Sequence, residues 1–84
     1  MCGIIGVSGT TDAARDVFVG LMNLQHRGQD GAGILTLAES GSELFNLQKG
    51  SGLIENVFSE RSFKKGLKGK TALGHTRYAT IGRQ

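Results

Sequence analysis

Between positions 12 and 27 the apolar residues fall at Ala14, Val17, Phe18, Leu21 and Met22. That spacing gathers them on one stripe of a helix and leaves the opposite side polar. A one-sided helix cannot stand alone in water; it needs a surface on which to bury its stripe. Thr11 is the predicted cap, Asp12 suits the positive first turn, and His26 and Arg27 fall in the last turn before a stop at Gly28.

The flanking stretches supply that surface. GIIGVS (3–8) is short and β-branched, so it reads as a buried strand with Cys2, Ile4 and Gly6 on one face and Ile5 and Val7 on the other. GAGILTLAE (31–39) reads as a second strand, and residues 39–42 as a turn. ELFNLQKG (43–50) alternates as a third strand that pairs with the second in a hairpin. Short helical pieces fit 53–65, and TALGHTRYAT (71–80) reads as a fourth strand with Leu73, His75 and Arg77 on one face. The order predicts an α+β fold in which a helix packs on a sheet.

Fourteen glycines and no proline point to tight turns and close approaches between strands. Eighty-four residues make one small domain with a modest core. The lone cysteine has no disulfide partner and, with two histidines, no zinc spacing, so no metal site is expected. One cysteine suits a reducing compartment, and the N-terminus lacks a basic stretch before its apolar run. These features predict a cytoplasmic protein with no membrane partner. Much of the net charge of +3 lies in RSFKKGLKGK (61–70). With Phe63 as its one aromatic ring and no series of rings for base stacking, that run reads as a solvated, glycine-broken segment and not as a nucleic-acid surface.

Cys2 stands directly behind Met1. Once Met1 is removed, its thiol gains a neighbouring α-amino group. Only a few per cent of a free thiol is thiolate at neutral pH, and an amine with a pKa of about 7.7–8.0 is a fair general base for it. An N-terminal residue that uses its own amine is an established form of activated nucleophile. A small hydrophobe at the start of a strand is the plain alternative, and pairing of Cys2 with His26 or His75 is another that the spacing does not favour.

MCGIIG at the start, QHRGQD at 25–30 and GHTRYAT at 74–80, in that order, resemble the glutaminase domain of class II glutamine amidotransferases. Within that family the QHRGQD form is most like the members that deliver ammonia to phosphoribosyl pyrophosphate in the first committed step of purine synthesis. The resemblance implies an N-terminal nucleophile hydrolase-type αββα sandwich of antiparallel sheets, present here only in part. It implies that Cys2 attacks the glutamine side-chain amide, forms a thioester and releases ammonia. It assigns the glutamine α-carboxylate to Arg77, whose guanidinium fork matches it, with Tyr78 and Thr80 lining the pocket and the helix-exit loop that carries Arg27 and Asp30 beside the nucleophile. It also implies a homo-oligomeric parent. No cofactor is expected in this segment; magnesium and an iron–sulfur cluster are candidates for the rest of the parent.

Two parts of the family pattern are missing. No Asn-Gly pair is present to donate to the oxyanion, and no aspartate follows Arg77. Residues 1–84 therefore read as the N-terminal portion of a glutaminase domain, cut short, with the phosphoribosyltransferase domain absent. Such a segment is expected to leave an apolar sheet face and strand edges uncovered, and to be inactive alone. The competing readings are a non-catalytic remnant or split partner that binds another protein through its open sheet, and another class II member of the glucosamine-6-phosphate synthase type.

Overall fold

The computed structural model describes residues 2–24, 29–37 and 45–78, without the side chains of Cys2, Gln29, Lys65 and Tyr78. The described strands are β1 (Cys2–Ser8), β2 (Gln29–Leu37), β3 (Phe45–Ser51) and β4 (Thr71–Tyr78). They form one antiparallel sheet in the order β1-β4-β2-β3. The hairpin pairing of β2 with β3 is as expected, whereas the 39–42 turn lies outside the described residues.

One helix, α1 (Ala13–Leu24), crosses one face of this sheet. It buries Ala13, Ala14, Val17 and Leu21, so the stripe read from the sequence is the buried one, although Met22 stays at the surface. The cap differs from expectation. Asp12, not Thr11, takes that place: its carboxylate accepts from the Arg15 backbone N–H at 3.4 Å. A carboxylate is also favoured there by the helix dipole. The expected last turn, with His26, Arg27 and Gly28, lies outside the described residues.

Alternation along the strands divides the sheet cleanly. Ala32, Ile34, Thr36, Ala72 and Thr76 are buried on the helix side. Gly74 lies on that side too, and a Cβ built there would stand 2.3 Å from Val17 and 3.1 Å from Leu21. Helix and sheet thus meet as closely as backbone allows. Residues 54–66 close the rest of this face. A short helix α2 (Ile54–Val57) and a π-helical turn (Ser62–Gly66) bring Phe58 and Phe63 against Phe18, with ring centroids 5.3–6.3 Å apart. Gln48 donates to the Val57 carbonyl at 2.8 Å and ties the segment to β3. The basic run 61–70 is solvated as expected, but it is pinned by buried Ser62, Phe63 and Leu67.

Arg15 links α1 to this segment. It donates to Asp12 at 3.1 Å and to both oxygens of Glu60 at 3.0 and 3.1 Å, and its guanidinium stands 4.9 Å above the Phe63 ring. The hydrogen bond from Arg15 holds the Glu60 carboxyl below its ordinary range, and the Arg15 pKa is raised in return. A carboxyl lowered in the folded state stabilises it above the unfolded pKa, and that contribution is lost as pH falls through the folded value. Both partners are exposed, so the effect is small and local. Acidification below the usual carboxylate range is expected to raise amide exchange in 59–67 before it raises exchange in β2 and β4. Uniform protection at pH 3 would contradict this.

Candidate functional site

The other face of the sheet carries no described element. Ile4, Leu37, Phe45, Leu47 and Leu73 stand on it at half exposure or more, Ile4 reaching 70%. This is the apolar face expected of a partial sandwich, with β1 and β3 as its edges. A hollow of about 280 Å³ between Ile4, Leu35, Leu47 and Leu73 marks its centre.

Polarity is gathered at one end of the same face, where two rows of residues cross the strands. In the first row Cys2 pairs with Arg77, Arg77 with Gly31, and Gly31 with Ser51. In the second, Ile4 pairs with His75, His75 with Gly33, and Gly33 with Lys49. Directly paired residues in antiparallel strands have Cα atoms about 4.5–5.5 Å apart and share a face. Position 2 therefore neighbours position 77, two sites separated by most of the chain.

β2 supplies no side chain between its neighbours here. Gly31 and Gly33 are both buried; the bare backbone of Gly33 floors the apolar hollow, and that of Gly31 a cavity of about 460 Å³ beside it. Arg77 and His75 line it from β4, Lys49 and Ser51 from β3, and Asp30 from the end of β2. Gly33 lets its neighbours close over β2: a Cβ there would meet the His75 Nε2 at 2.8 Å and the Lys49 Cβ at 3.2 Å, and the imidazole would have to swing aside. The imidazole thus leans across β2 and separates this polar cavity from the apolar hollow, since it lines both.

Asp30 differs from expectation. It belongs to β2 and not to the helix-exit loop. The register passes from Gln29↔Tyr78 to Gly31↔Arg77, which leaves Asp30 as the extra residue of a bulge. Its carbonyl accepts from the Gly52 N–H at 2.9 Å, so the bulge is also tied to the residue that follows β3.

Of the residues assigned by resemblance, the backbone positions of Cys2, Arg77 and Tyr78 lie at this end of β1 and β4. Arg27 and Thr80 lie outside the described residues. Lys49, Ser51 and His75 were not among the expected site residues; their pairing opposite Gly31 and Gly33 reveals them. Among the described residues no three His, Cys, Asp or Glu side chains gather as metal ligands. No described helix is long and apolar enough to cross a membrane.

No family model matches the chain. It is similar to the amidophosphoribosyltransferase of Escherichia coli (strain K12), 42% identical over 82 residues that cover 98% of this chain and 16% of the relative. The amidophosphoribosyltransferase of Bacillus subtilis (strain 168) is 48% identical over 81 residues, covering 96% and 16%. A solved structure described as the allosteric regulatory enzyme of purine biosynthesis superposes with a TM-score of 0.80 at 40% identity, over 99% of this chain and 17% of that one. The chain thus spans about a sixth of the length of the relatives it matches. The fold is α+β and corresponds to part of the N-terminal nucleophile hydrolase-type sandwich.

Proposed function

From its similarity, over nearly its whole length, to the N-terminal part of the class II glutamine amidotransferase domain of amidophosphoribosyltransferases, we propose that the chain is the nucleophile-bearing portion, residues 1–84, of a glutaminase domain. The observation that carries this reading is the register that sets position 2 beside Arg77 on the open face. A nucleophile and a carboxylate clamp one residue pair apart suit a short amino acid held by both ends.

The chemistry follows from the groups. Removal of Met1 exposes the α-amino group of Cys2, which takes the thiol proton. The thiolate attacks the side-chain amide carbon of glutamine, and the resulting oxyanion needs donors from outside these 84 residues, because no Asn-Gly pair lies within them. The tetrahedral adduct collapses with loss of ammonia, which leaves with the proton returned by the amine. Water then attacks the thioester and releases glutamate and the free thiol. Arg77 holds the α-carboxylate in two places; Tyr78, Thr80 and Arg27 complete the pocket. In the whole protein the ammonia displaces pyrophosphate from phosphoribosyl pyrophosphate, in a homo-oligomer of the cytoplasm, with any magnesium or iron–sulfur cluster beyond this segment.

The test is covalent. A glutamine-like electrophile such as a chloroketone analogue should label the full-length protein once, on an N-terminal Cys2 that has lost Met1, and glutamine should protect it. Mass spectrometry that found Met1 retained, or labelling that glutamine leaves unchanged, would falsify the reading and favour a protein-binding module.

A further inference from the structure

We propose that Lys49 is a second substrate-binding cation of this site, reaching the α-carboxylate end of glutamine from the wall opposite Arg77. This rests on the reading above that glutamine lies along the open face from Cys2.

The placement is set by the sheet. Cys2, Arg77 and Gly31 stand in one row on three successive strands. From its amide carbon to its carboxylate carbon, glutamine spans four carbon–carbon bonds, roughly 5 Å when extended. That is about one strand spacing. A substrate whose amide sits at Cys2 and whose chain runs along the row therefore carries its carboxylate over Arg77 on β4, at the rim of the cavity that Gly31 floors.

Nothing on β2 rises there to screen the next strand. Gly31 leaves the middle of the cavity open, and Lys49 lines the same 460 Å³ space from β3. Lys49 sits at the register position of Gly33, one step diagonal to Gly31. Its flexible stem lets the ammonium follow a carboxylate, whereas the Arg77 fork is rigid. His75, leaning over Gly33, closes the apolar side of the cavity and leaves the polar side to the two cations and Asp30. Among the lining side chains, Lys49 and Arg77 stand against one carboxylate, Asp30, which biases the space toward an anionic group.

A lysine on an outer strand has a plain use as well, in keeping an edge soluble. The two roles separate by kinetics. In the full-length protein, Lys49→Met is expected to raise the KM for glutamine about three- to tenfold with kcat within about twofold of wild type, the pattern of lost binding. Lys49→Arg should restore most of the KM. Alkylation of Cys2 by the chloroketone analogue, which carries the carboxylate, should slow in Lys49→Met, while alkylation by iodoacetamide, which lacks it, should not. An unchanged KM in Lys49→Met, beside a wild type whose turnover depends on Cys2, would overturn this inference and leave the glutaminase reading intact. Equal slowing with both alkylating agents would also overturn it, since the thiol itself would then be disturbed. A wild type without glutamine turnover would remove both.

Discussion

Cys2→Ala in the full-length protein is expected to lower glutamine hydrolysis by at least about a thousandfold, because the proposed thioester forms on the Cys2 sulfur and residues 1–84 hold no other thiol. Cys2→Ser should do nearly as badly: an alkoxide is far harder to generate than a thiolate, and an amine poised near neutral pH is matched to the thiol. Both side chains are small, and the backbone of β1 keeps its pairing with β4 through seven consecutive residue pairs, so the fold should survive either change. Hydrolysis would be followed by glutamate release, and the fold by far-ultraviolet circular dichroism. Turnover that survives Cys2→Ala in a folded protein would end the nucleophile assignment and revive the non-catalytic module as the better account of the open sheet.

The second large effect is structural. Gly74→Ala is expected to cost about 1–3 kcal/mol, because the added methyl has nowhere to go. It would stand 2.3 Å from a Val17 methyl and 3.1 Å from a Leu21 methyl, and both residues are fully buried. Gly20→Ala is the control. Its methyl would also meet an atom, at 2.2 Å, but that atom is the Cδ1 tip of Ile5, a flexible chain end in a half-buried residue. Alanine also gains roughly 1 kcal/mol of helix propensity over glycine. Gly20→Ala should therefore be near neutral. The measurement is the urea midpoint at constant slope. Equal midpoints for the two variants would mean that α1 can lift from β4 more easily than its packing implies.

Much of this was legible in the residues. The alternation that exposes Ile4, Leu73 and Arg77 while burying Ala72 and Thr76 can be read along each strand, because period-two patterning survives any detail of pairing. The α1 stripe was equally plain. The cap was misread by one residue because Thr11 and Asp12 are both good caps, and the choice falls to the carboxylate that also reaches Arg15. Asp30 was placed on a loop because a bulge leaves no signature in the alternation; it appears only when two strands are in register. Lys49 was overlooked for a related reason. Its meaning depends on what stands opposite, and Gly31 of β2, which opens the cavity, looks from sequence like an ordinary backbone accommodation.

The sheet order β1-β4-β2-β3 makes β4 the partner of β1 among the described strands. A ribosome makes β1 first and β4 last of these four, some 70 residues later. Throughout that interval the N-terminal strand has no described neighbour to pair with, so its end stays within reach of an aminopeptidase. Processing and pairing are thereby ordered in time by topology alone. The amine that the proposed chemistry requires would be released while the strand is loose, and set beside Arg77 only when β4 arrives. A permuted chain that placed β4 before β1 would close that window early, and would trade the chance of a processed nucleophile for a faster fold.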